Sequence, residues 1–145
     1  MQPNRRSVLA GGILGLTVAC TPREIAPRVV TADDRRRQEG AIREEALLQL
    51  YDAAIAAYPA LTPVLSVLRA DHVQHRAALG ATDPVRATAN PDLLGGTAAE
   101  AMLRIAALER GTAALHAEAA LHAGRSLAPL LASLAACESA HAAVL

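Results

Sequence analysis

Residues 127–145 read LAPLLASLAACESAHAAVL. Within them Leu127, Leu131, Leu134, Glu138, His141 and Leu145 follow at steps of four, three, four, three and four. That spacing places all six on one stripe of an α-helix. A carboxylate and an imidazole therefore stand on a face that otherwise carries only leucine. Burying either group without a partner costs free energy, so other polar residues have to meet them.

Working back from this stretch, three more segments show helical periodicity. Thr97-Ala98-Ala99-Glu100 is a capping box, opening a helix predicted to run to about His122, ahead of Gly124. Its expected inner face is Ile105, Leu108, Glu109, Thr112, Leu115, His116, Ala119 and His122. Gly111, inside that helix, predicts a close helix neighbour. Thr62-Pro63 reads as an N-cap followed by proline in the first turn, with Gly80 closing the segment. Leu65, Leu68, His72, His75 and Leu79 form its stripe, and Asp71 stands beside it. Thr31-Ala32-Asp33-Asp34 starts the first helix, with acids where the helix dipole favours them, and Pro59 stops it. Its stripe is Leu47, Leu50, Tyr51, Ala54, Ile55 and Tyr58, extended backward by Glu44. Ser126 is the expected cap of the last helix.

Residues 80–96, GATDPVRATANPDLLGG, form the one long connection. Such a length within a compact domain is explained by a crossover running the length of a bundle. Apolar residues make up 52% of the chain, but only Tyr51 and Tyr58 are aromatic and alanine supplies nearly half of the remainder. That composition favours closely packed helices over strands. The fold class read from the sequence is all-α, a four-helix bundle over residues 32–145.

Counting from each hairpin gives the heights of the inward polar groups. Glu44 lies fifteen residues before Pro59, and His75 thirteen after Thr62. Glu109 lies fifteen before Gly124, and Glu138 thirteen after Arg125. Each is about 20 Å from its own turn, near the middle of helices about 38 Å long. His72 and His141 fall within one turn of that level, whereas His116 reads as separate.

The amino terminus, MQPNRRSVLAGGILGLTVAC, has a basic start and an apolar run from Val8 to Ala19. That run is short of the roughly 20 residues a spanning helix needs and reads as an export signal. Arg5-Arg6-Ser7-Val8-Leu9 resembles the twin-arginine motif, and Thr17-Val18-Ala19-Cys20 a lipobox. Residues 1–19 are thus expected to be a signal peptide, Cys20 the lipidated first mature residue, and 20–31 a tether with Pro22 and Pro27. The protein is placed outside the cytoplasm, anchored at the cell membrane or in the periplasm. Once Cys20 carries lipid, Cys137 is left as the one thiol and reads as a small buried hydrophobe.

With this signal, four Ala/Leu-rich helices and a terminal Ala-Cys-Glu-Ser-Ala-His, the chain resembles the exported ferritin-like-domain lipoproteins of high-GC bacteria. The resemblance implies a ferritin-like bundle with its long connection between helices 2 and 3. By motif it also implies a metal-ligand set. Glu44 matches the lone carboxylate of the first helix and Glu109 that of the third. Glu138 and His141 match the Glu-x-x-His of the fourth. The second helix departs, since Asp71, His72 and His75 stand where Glu-x-x-His is expected. That leaves the set one carboxylate short and richer in nitrogen, suited to a single Zn, Fe or Mn.

Two functions follow. The favoured one is a metal-free, lipid-tethered module whose core acids and imidazoles bond to one another, with a second copy or an envelope protein as partner. The alternative is a metal-binding bundle using Glu44, His72, His75, Glu109, Glu138 and His141, with redox or ferroxidase-like chemistry. Fourteen Arg balance fourteen acids, and the balance turns acidic (twelve against fourteen) without Arg5 and Arg6, so nucleic acid is not an expected partner. The chain has no P-loop, no Gly-x-Ser-x-Gly and no dinucleotide fingerprint, which disfavours a hydrolase or nucleotide enzyme; a non-enzymatic role is favoured, with the enzyme question left open.

Overall fold

The computed structural model describes residues 29–81 and 94–145. Arg5, Arg6, Cys20 and most of the expected tether lie outside the described residues. Among the described residues the architecture is all-helical: α1 (Ala32–Ala57), α2 (Thr62–Ala78), α3 (Ala98–Leu121) and α4 (Ala128–Val144). A 3-10 turn, Pro59–Leu61, joins α1 to α2. No single helix among these residues is long and apolar enough to cross a membrane.

The predicted capping box at Thr97 forms, and the predicted helix start at Thr31 turns out to be a capping box as well. The Thr31 hydroxyl accepts from Asp34 N at 3.1 Å, and Thr31 N donates to Asp34 Oδ2 at 2.9 Å. Thr97 and Glu100 repeat the exchange at 3.2 and 3.1 Å. Each box satisfies amide groups that the first turn leaves without helical acceptors. Gly80 takes a left-handed φ of 87°, and Ala81 N closes the end of α2 onto Arg76 O at 3.2 Å.

Two expected caps do not form. Thr62 is already helical (φ −51°, ψ −44°), because the 3-10 turn leads straight into α2 and Leu61 takes the cap position. Ser126 is exposed, and the cap position of α4 belongs to Leu127, which the core draws in completely. There the Gly124 carbonyl accepts from Leu127 N and Ala128 N at 2.9 and 3.0 Å, so no side-chain cap is used.

Contacts across the bundle fix its topology. Tyr58 Oη, at the end of α1, donates to Gly95 O ahead of α3 at 2.9 Å. Gly124 N, after α3, donates to Asp33 Oδ2 at the start of α1 at 3.1 Å. α1 and α3 are therefore antiparallel. Leu79, closing α2, packs with Leu127 and Leu131 at the start of α4, so α2 and α4 are antiparallel too. Gly80 and Leu94 consequently sit at opposite ends of the bundle.

The apolar core is split. One cluster, around Leu47, Leu50, Tyr51, Leu65, Leu68, Ala101 and Ile105, fills the end at the α1–α2 turn. A second, of Ala41, Leu79, Leu127, Leu131 and Leu134, fills the other end. A polar band separates them. α3 is turned from its expected orientation: Leu108 and Leu115 are 39% and 49% exposed, and His122 pairs with Glu118 in solvent. Its buried face is Ala101, Ile105, Ala106, Glu109, Thr112, Ala113 and His116. Burial of Ala106 and Ala113 lets α3 approach its neighbours closely, so the bulky leucines fall outside. A Cβ on Gly111 would meet nothing within 4 Å, so no close neighbour explains that glycine.

Candidate metal centre

Between the two apolar clusters, seven polar side chains are buried: Glu44, His72, Glu109, Thr112, His116, Glu138 and His141. All four helices contribute. His75 joins them with 12% of its side chain exposed. The six metal-ligand candidates of the sequence, Glu44, His72, His75, Glu109, Glu138 and His141, all lie in or against this band.

His72 occupies the middle. Its Nδ1 lies 2.8 Å from Glu44 Oε2 and its Nε2 2.8 Å from Glu109 Oε1. Tyr51 Oη donates to the same Glu109 oxygen at 2.6 Å. Burial opposes charge on His72, but the two carboxylates outweigh it and push the imidazole up to about 9. The same contacts act in reverse on the acids. Glu109 is held down at about 2 against its burial, by His141, His72 and Tyr51. Glu44 is likewise held well below the usual carboxylate range against its burial, by His116, His72 and His75. Burial and the Glu109 charge push the Tyr51 phenol up, keeping it a donor.

Glu138 behaves oppositely. Burial first, then the hydrogen bond and charge of Glu44, then Glu109, push its carboxyl up to about 10. Neither of its oxygens meets a donor in good hydrogen-bond geometry. A proton held toward Glu44 is the bond left to it, so the two carboxyls titrate as a pair with one shared proton.

His116 belongs to this centre, contrary to its expected separation. Its Nε2 lies 3.3 Å from Glu44 Oε1 and 3.4 Å from Glu138 Oε1. Helical side chains lean toward their own N-termini. Glu44 and Glu138 therefore lean toward the α3–α4 turn, while His116, near that turn on antiparallel α3, leans back toward them. Gly40 opens the path, since a Cβ there would meet His116 Cε1 at 3.1 Å.

Several buried atoms in the band have no hydrogen-bond partner: Glu44 Oε1, Glu109 Oε2, both Glu138 oxygens, both His116 nitrogens, His75 Nδ1 and His141 Nδ1. Among the described residues, three groups each bring their donor atoms within 4.8 Å of one another: Glu44, His72, His75 and Glu138; His72, Glu109 and His141; and Asp71, Cys137 and His141. The second group shares His72 with the first and His141 with the third. Cys137 is half-buried, not sealed in the core as expected. Burial and the charges of Asp71, Glu138, Glu109 and Glu44 push its thiol up, which argues against a free thiolate nucleophile.

No protein family matches this chain, and no match was found among curated proteins or solved structures.

Proposed function

We propose that the chain is a metal-binding helical bundle of ferritin-like topology, held at the cell envelope through a lipid on Cys20. Its inner centre uses Glu44, His75, His116 and Glu138, with His72, Glu109 and His141 alongside. The observation that carries this reading is Glu138, fully buried with both oxygens lacking a well-placed donor. The ordinary alternative is a core network that satisfies itself. That network accounts for Tyr51, Glu109 and His72, but it leaves Glu138 facing another carboxylate. A cation between Glu44, Glu138 and the nearby imidazoles would replace the shared proton and meet the orphaned atoms together.

The mixed imidazole and carboxylate set suits Zn, Fe or Mn. When bound, such an ion supplies Lewis acidity, and Fe or Mn also supplies electron exchange. His72 stands where a ferritin-like site would place a bridging carboxylate. We therefore favour metal binding over ferroxidase chemistry. The placing of Gly80 and Leu94 at opposite bundle ends supports the ferritin-like topology.

The test is metal analysis of protein purified without chelator, joined to a thermal shift. Added Zn, Fe or Mn at about a hundredfold excess over Kd should stabilise the fold by about 2.7 kcal/mol. No shift with any of the three metals, and below about a tenth of an ion per chain as isolated, would remove the inner centre. The tether is tested separately: Cys20→Ser should release the protein from the membrane fraction, and unchanged retention would remove the lipid anchor.

A further inference from the structure

Outside the inner centre, Asp71, Cys137 and His141 meet at the seam where α2 passes α4. Cys137 and His141 are one turn apart on α4 and present the same face. Asp71 comes from α2 with 41% of its side chain exposed, so this group opens to solvent. His141 Nε2 lies 3.4 Å from Cys137 Sγ and 3.2 Å from Asp71 Oδ2.

Both neighbours converge on the same ring nitrogen, whose single hydrogen or lone pair serves only one of them fully. If Nε2 carries a hydrogen, it donates to Asp71, and the thiol has no imidazole lone pair to donate to. If Nε2 is bare, the thiol donates to it, and a carboxylate oxygen then faces a lone pair. A catalytic triad would need Glu109 as the orienting acid on the opposite nitrogen, but Glu109 Oε1 lies 3.7 Å from Nδ1, beyond hydrogen-bond reach, while Asp71 competes with the thiol for Nε2. A cation would satisfy all three atoms at once. The far side of the ring fits the same reading: buried His141 Nδ1 has no hydrogen-bond partner and faces Glu109 Oε1 at 3.7 Å. With Nε2 on a metal, the ring hydrogen moves to Nδ1 and points at that carboxylate, the usual backing of a metal-bound histidine.

We propose that Asp71, Cys137 and His141 form a second, outer site for a thiophilic divalent cation such as Zn2+. Cys137 binds as thiolate and releases its proton to solvent, with no change of oxidation state. Three protein donors leave a coordination position to water. The ion would also clamp α2 to α4, the most sparsely packed of the neighbouring helix pairs. Its thiolate and Asp71 take no part in the inner centre, although His141 and Glu109 stand beside both.

The experiment is Co2+ titration of the full chain carrying Cys20→Ser, which leaves Cys137 as the sole thiol. A thiolate-to-cobalt charge-transfer band is expected. Adding Cys137→Ser should abolish the band and remove one bound ion per chain. Asp71→Asn should weaken the band-forming event at least about tenfold. Saturating cobalt with no thiolate band overturns the outer site, and leaves the inner one standing if cobalt is still bound in a Glu138-dependent way. A band that persists in Glu138→Gln supports the outer site even where the inner one has been removed.

Discussion

Replacing His72 with alanine is expected to destabilise the metal-free protein by about 3–5 kcal/mol, a large share of the roughly 5–15 kcal/mol that holds a domain folded. His72 is fully buried and bonds Glu44 and Glu109 at 2.8 Å each. Removing it strips one partner from each of two buried carboxylates and leaves a void between them. His122→Ala is the control, since His122 pairs with Glu118 in solvent and its loss should fall within about 0.5 kcal/mol. Urea unfolding in the presence of chelator measures both. Equal midpoints for the two variants would show that the central imidazole holds nothing together.

The prominence of His72 could be read from its position, because Leu65, Leu68 and His72 repeat at helical spacing and all three are buried. The same applies to Glu44 and Glu138, each on a leucine stripe at a matching distance from its turn, to His141 one turn further along the same stripe, and to Glu109, matched in height and one turn after buried Ile105. The capping box at Thr97 and the helix start at Thr31 were legible because their chemistry is local. What counting along the axis could not give was the reach of side chains. His116 sits well below the Glu44 level by backbone rise, and only the opposed lean of antiparallel helices closes the gap. A signal was available at Gly40, four residues before Glu44 on the α1 stripe, where the missing side chain makes room for a ring. Tyr51 lies on the α1 stripe with the leucines, yet its hydroxyl fixes Glu109, since a phenol is apolar and polar at once. Helix rotation was also hidden: α3 buries Ala106 and Ala113 in preference to Leu108 and Leu115. A hydrophobic pattern alone cannot foresee that small residues gain more from close helix approach.

Glu138→Gln separates the two readings of the centre, because they predict opposite signs. In the metal-free protein Glu138 holds its proton up to about 10, whereas the same carboxyl ionises near 4.5 when unfolded. Above 4.5 the folded state therefore binds the extra proton, and stability falls as pH rises toward 10. His72, raised from 6.5 to about 9, acts in the same direction: its contribution is complete below 6.5 and lost as pH passes through 9. Glu109, lowered to about 2, contributes fully above 4.5 and loses its effect only as pH falls toward 2. Metal-free stability should thus decline between pH 6.5 and 9 at about 1.4 kcal/mol per pH unit from each of the two rising groups. A neutral amide at position 138 removes one of them. Glu138→Gln should then raise metal-free stability at pH 7 by about 2–3 kcal/mol and roughly halve the decline. With Zn2+ present the order reverses. The native carboxylate gives up its proton to bind the ion, and the wild type gains stability that the amide does not. Thermal unfolding at pH 6.5 and 9, with chelator and with Zn2+, gives all the terms. A purely structural carboxyl would show the stabilisation without the reversal, and a Glu138 that is ionised in the folded protein would show neither.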